Sequence, residues 1–222
     1  MGKREHYFGD VLESALGPML PKTNEPDFKN SFFNDEIQRV YESLGGLLID
    51  YPTPKQHWKP DFTFESAIVE LDEERHFNRY RNMTLQSSVY DNLSYLNVKK
   101  YMTLCKRYET NCLKSASWAG NWENLSTKKQ FGESDPEGYL GDKGSSRWKQ
   151  RAFYDYLKDV SALITGIPVF RFSIWEQDES GEFLNDLINN EQKGAIIRHV
   201  KMRISVRENL NFGTKNKTSL SN

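Results

Sequence analysis

The chain has 222 residues, enough for one domain of ordinary to large size or a domain with a substantial insert. Lys and Arg number 30 and Asp and Glu 31, a formal net charge of −1 that excludes a polycationic tail protein and a supercharged acidic one but not a basic groove. Aromatic residues make up 13% of the chain, which argues against whole-chain disorder, and no stretch approaches the roughly 18 apolar residues of a membrane span.

A mean hydropathy of −0.75 predicts solvated loops around a modest core. The first residues lack the apolar run of a secretory leader. Cys105 and Cys112 cannot build a disulfide framework, and their spacing is not one that zinc sites use, so both read as ordinary buried thiols. A reduced, cytoplasmic setting follows as the expectation, with no membrane association.

In chain order, residues 1–33 are mixed, with a short helix starting over Asp10–Ala15. Asn34 or Asp35 caps a better one, in which Ile37, Val40, Tyr41, Leu44 and Leu47 fall at helical spacing until Gly45-Gly46 ends it. Leu47–Tyr51 is expected to be extended. Residues 52–60 form a proline-punctuated connector. Asp61–Phe64 and Ala67–Asp72 alternate as strands around Glu65-Ser66 and predict a β-hairpin.

Residues 73–81 are charged. A helix is expected around Asn97–Tyr108, followed by a Gly-, Ser-, Trp- and Asn-rich stretch. Order resumes where Ser145 or Ser146 caps a helix with an apolar stripe of Trp148, Ala152, Tyr156, Leu157, Val160 and Leu163, closed by Gly166. Ile167–Trp175 is the strongest strand pattern, and Phe183–Asn189 reads as a helix. Ala195–Val206 is a helix or a strand, and residues 207–222 a frayed polar tail.

The expected class is α/β or α+β: one domain over 1–222, a mixed sheet flanked by helices. Its core spans about 34–81 and 147–206. A loop-rich insert occupies about 82–146.

The chemistry concentrates at Asp61, Glu70, Asp72 and His76. Strand residues two apart share a face, so Glu70 and Asp72 point together, and the hairpin can bring Asp61 beside them. Three carboxylates on one face repel unless a cation joins them. Oxygen ligands suit Mg²⁺ or Mn²⁺. His76 stands just beyond the strand, suited to moving a proton near neutral pH. The alternative is a solvated strand face paired with Arg75, Arg79 and Arg81.

Pro60-Asp61 followed by Glu70-Leu71-Asp72 resembles the PD-(D/E)xK nuclease superfamily. Ile68–Asp72 with His76, Arg151 on a helix and Gly166–Phe172 resembles its very short patch repair endonuclease-like branch. The resemblance covers about 60–80 and 147–176. It implies a restriction-endonuclease-like fold and metal-dependent cleavage of DNA, in restriction, phage defence or repair. On it, Asp61, Glu70 and Asp72 are metal ligands, His76 is the catalytic histidine and Arg171 supports the site.

The superfamily's lysine is replaced by Asp72, and Lys149 is the candidate substitute. Arg75, Arg79, Arg81, Lys149 and Arg151 are the expected phosphate contacts. Basic and aromatic residues of the insert, Trp118 and Trp122 among them, are expected to reach around the substrate. A homodimer with an interface at 195–206 follows by analogy. A catalytically degenerate nucleic-acid- or protein-binding module is the rival expectation.

Overall fold

A computed structural model describes residues 2–21, 23–55, 58–116 and 122–215. The first helix, α1 (Lys3–Leu16), is longer than expected. Its first turn is polar, so periodicity conceals it, but Arg4 reaches across to Glu74, with Nη2 2.9 Å from Oε2, while Phe8, Val11 and Leu12 are buried. Helix α2 (Asn34–Ser43) stops before Gly45, whose φ of 80° suits only a residue without a Cβ. The expected extended segment after it is not a strand: Leu47 donates its N–H to the Gln130 carbonyl, and Ile49 is exposed.

Strands β1 (Phe62–Thr63) and β2 (Ile68–Asp72) form the expected hairpin, antiparallel with Phe62 opposite Val69, and the Phe64 N–H bonds to the Ala67 carbonyl across the turn. A short 3₁₀ turn at Glu74–His76 leads to α3 (Arg79–Thr84), capped by the Asn78 side chain. The segment expected to be a loop-rich insert carries the expected helix, α4 (Val98–Ala116), which runs on past Tyr108, and a further one, α5 (Leu125–Phe131). It is not a peripheral loop, because Tyr101, Cys105, Cys112, Trp122 and Phe131 are all buried in the core. Trp118 lies outside the described residues.

Helix α6 (Ser146–Thr165) begins at the Ser145 cap and ends at Gly166 in the left-handed region, φ 74°, as expected. Strand β3 (Val169–Ser173) pairs in parallel with β2, which places Glu70 opposite Arg171 and Asp72 opposite Ser173. Two more helices follow, α7 (Leu184–Asn189) and α8 (Lys193–Lys215). The stretch of uncertain type is therefore helical, and the helix runs on into the expected tail. Residues 216–222 lie outside the described residues.

The protein is thus a mixed α/β fold: a three-stranded sheet ordered β1-β2-β3 with helices on both faces. Strand alternation divides the core. Val69, Leu71, Phe170 and Phe172 pack with α1, α7 and α8, and Ile196 and Val200 of α8 are buried in that core. Ile68 and Val169 belong to the opposite cluster, built around α6. Glu70, Asp72 and Arg171 share that side, which aims the acids of β2 at α6. Among the described residues no helix is long and apolar enough to cross a membrane.

Candidate functional site

Asp72 is fully buried, and both its oxygens are engaged. Arg171 donates to Oδ1 at 2.7 Å, and the Tyr101 hydroxyl donates to Oδ2. The Arg171 guanidinium also binds Asp159 Oδ1 through Nε, at 2.5 Å, and the Asp155 carbonyl at 2.9 Å. Arg81 closes the other end, 2.6 Å from Asp159 Oδ2, while Tyr90 donates to the same oxygen. Burial on its own penalises each of these charges, and their mutual attraction offsets it.

His76 sits where this network meets solvent. Its Nδ1 lies 2.8 Å from Asp155 Oδ2 and 3.2 Å from Asp72 Oδ1, so the proton on Nδ1 faces carboxylates and Nε2 points the other way, 3.3 Å from an Arg151 nitrogen. Burial opposes protonation of His76, but Asp155 and Asp72 outweigh it and raise its pKa. Burial likewise resists the Asp155 charge, yet His76 and Arg171 hold that carboxyl well below its ordinary range. The three carboxylates Asp72, Asp155 and Asp159 meet two guanidiniums, so a proton on His76 neutralises the cluster. Ligand atoms of Asp72, His76 and Asp155 lie within 4.8 Å of one another, but Arg171 already compensates their charge.

Asp61 and Glu70 form a separate pair. The Asp61 N–H donates to Glu70 Oε1 at 3.1 Å, and the Leu71 N–H donates to Asp61 Oδ2 at 3.0 Å. Lys158 of α6 donates to Glu70 Oε2, and its Nζ lies 3.9 Å from Asp61 Oδ1. Two carboxylates therefore converge on one cation. Burial and the nearby Asp61 push Glu70 up to about 7, against the pull of Lys158. Burial opposes the charge on Lys158, but Glu70 and Asp61 keep it protonated.

A cleft of about 410 Å³ opens over these groups, lined by Asp61, His76, Asp155, Lys158, Arg147, Arg151, Tyr154, Trp58, Lys59 and Pro54. Helix α6 supplies half of its lining. Arg147, Arg151, Tyr154 and Lys158 follow at steps of four, three and four, one face of a helix whose other residues here are largely buried.

A family model matches residues 39–190, described as a family of unknown function, DUF7255. The chain belongs to the DUF7255 family. No curated protein and no solved structure matches it. The DUF7255 match runs through the hairpin, α6 and β3, and also through the helical segment between them. That segment lies inside the matched span, and its Tyr101, Cys105, Trp122 and Phe131 are buried.

Of the residues singled out from the sequence, Asp61, Glu70, His76 and Arg151 meet at the cleft, with Glu70 beneath its surface. Asp72 is drawn away into the buried network. Arg81 is no phosphate contact, since it is fully buried against Asp159. Arg79 is tied to Glu109, 2.6 Å away. Lys149 stands over the Tyr80 ring instead of the acids. The cation beside Glu70 is Lys158. Sequence reasoning missed it, although its place seven residues after Arg151 puts both on one helical face.

Proposed function

We propose that this DUF7255 cleft hydrolyses phosphodiester bonds in DNA with a divalent metal, as an endonuclease. One observation carries the reading: Asp61 and Glu70, from the two arms of a hairpin, converge on a single cation at the wall of a cleft otherwise rich in donors. Two carboxylates plus substrate oxygens are a usual donor set for Mg²⁺ or Mn²⁺, so these residues fit that ion. When bound, such an ion polarises a phosphoryl oxygen and favours ionisation of water.

The chain's own groups do the rest. Lys158 holds the Glu70 carboxylate and supplies fixed positive charge where charge develops on the phosphate. His76, oriented through Nδ1 by Asp155, presents Nε2 to the cleft and gives a proton to the departing oxygen. Asp72 positions His76 and Arg171 instead of ligating metal. Arg151 binds a phosphate oxygen beside His76.

The test is cleavage of supercoiled plasmid and of single-stranded circular DNA in Mg²⁺, Mn²⁺ or EDTA, with Asp61→Asn and Lys158→Gln in parallel. Metal-dependent cleavage that both variants lose supports the reading. Cleavage undiminished in both, or none by the native chain in either metal, overturns it. Asp72→Ala is a poor probe, because it opens the buried network and confounds folding with catalysis.

A further inference from the structure

The cleft is lopsided. Of its acids, Asp61 sits at the Lys158 end and Asp155 is engaged by His76, while Arg147, Arg151 and Tyr154 offer hydrogen-bond donors along the rest. Arg147 and Arg151 are one turn apart on α6, and among the described residues neither has a carboxylate within ion-pair range. Among the described residues, the Arg147 guanidinium bonds to the neutral Gln150 side chain. Burial, then the neighbouring Arg151, lowers its pKa, against the opposing pull of Tyr154. His76 Nε2 faces Arg151 at 3.3 Å; with His76 protonated, two donors face one another, and an acceptor beside the pair bonds to both. Trp58 lines the same cleft. It is 6% exposed, and its buried indole N–H has no acceptor among the described residues. Unsatisfied buried donors and uncompensated guanidiniums are costly alone and favourable around an anion rich in acceptor oxygens.

Size and spacing say what carries that anion. A cleft of about 410 Å³ lies within the roughly 300–1,000 Å³ of pockets that enclose one small molecule, so it encloses about one nucleotide at a time, which an unpaired strand presents without giving up a pairing partner. Arg151 and Arg147 stand seven and eleven residues before Lys158, about 10 and 16 Å along the helix at ~1.5 Å per residue. Successive phosphates of one strand can follow that line. Tyr154 lies on it between Arg151 and Lys158, offering a ring beside the backbone track.

We propose that the cleft takes a single, unpaired nucleic-acid strand, with Arg147 and Arg151 forming a subsite for the phosphate next to the one held at the Asp61–Glu70 end. The assignment of that end rests on the nuclease reading above; the donor subsite does not need metal to bind.

Binding is therefore measured in EDTA, by fluorescence anisotropy of labelled dT12, rU12 and a 12-base-pair duplex over a range of salt concentrations. At least one single strand is expected to bind tenfold or more tightly than the duplex. Arg147→Gln should weaken single-strand binding roughly five- to tenfold and reduce the salt slope by about 0.7, the loss of one phosphate contact. Arg147→Lys should restore most of the affinity. Lys100→Gln, on the exposed side of α4, should leave binding unchanged, and circular dichroism reports that each variant is folded.

Duplex binding as tight as single-strand binding, or a folded Arg147→Gln that binds undiminished, overturns the proposal. Single-strand binding that needs Arg147, in a chain that cleaves nothing with any metal, leaves this proposal standing and sinks the nuclease reading. Metal-dependent plasmid cleavage with single-strand binding indifferent to Arg147 does the reverse. The contrast between dT12 and rU12 decides which of the two strands is the ligand.

Discussion

Replacing Arg171 with Met tests whether the buried charge network holds the fold together. Arg171 is fully buried and bonds directly to Asp72 at 2.7 Å and Asp159 at 2.5 Å, one from β2 and one from α6. Removing one partner of a buried pair costs about 3–5 kcal/mol, because the other charge stays behind without compensation. Here Asp159 keeps Arg81, and Asp72 keeps His76 and Tyr101, so the loss stays near the value for one pair, about 4 kcal/mol. At ~2–4 °C per kcal/mol for a chain of this size, Tm falls by roughly 8–16 °C. Urea unfolding followed by tryptophan fluorescence measures the loss. Adding Asp72→Asn to Arg171→Met removes one stranded charge and should recover part of it, which a double-mutant cycle reads directly. A loss under ~1 kcal/mol at pH 7, within the range of an ordinary surface pair, would refute the argument that these charges are mutually compensated in the interior.

The other expectations follow from single sites. Gly144→Ala should destabilise by well over 1 kcal/mol, since its φ is 66° and a Cβ there would lie 1.6 Å from the Tyr80 hydroxyl; a Tm within a degree of native would contradict this. Because folding raises the His76 pKa, its contribution is complete below about pH 6.5 and fades as pH rises through the folded value. Because folding lowers the Asp155 pKa, its contribution is present above about pH 4 and fades as pH falls through its folded value. Stability should thus decline on both sides of the mildly acidic range, and His76→Gln should flatten the alkaline limb of a pH series of urea midpoints. Cys105 and Cys112 are buried, and burial pushes both thiols up to about 12, so Ellman's reagent should label them at the rate of unfolding; rapid labelling of the native chain would be inconsistent with their packing.

The sequence by itself determined the elements whose signal is local. Alternation around a two-residue turn marks β1 and β2, and a Ser cap, an apolar stripe and a terminal glycine bound α6. Period two also put Glu70 and Asp72 on one face of the sheet, as found. That shared face did not give the two acids one role, because partners arriving from distant segments separate them. Lys158 takes Glu70 from 88 residues away, and Arg171 takes Asp72 from 99. The polar first turn of α1 is helical because its Arg4 meets Glu74, and α8 is a helix because Ile196 and Val200 find a sheet face to cover. Arg75, Arg79 and Arg81 look alike as a basic run, yet Arg81 ends inside the protein and Arg79 on Glu109. The charge of a side chain is written in the chain, but whether it meets an acid, a cavity or water depends on which distant segment the fold sets against it.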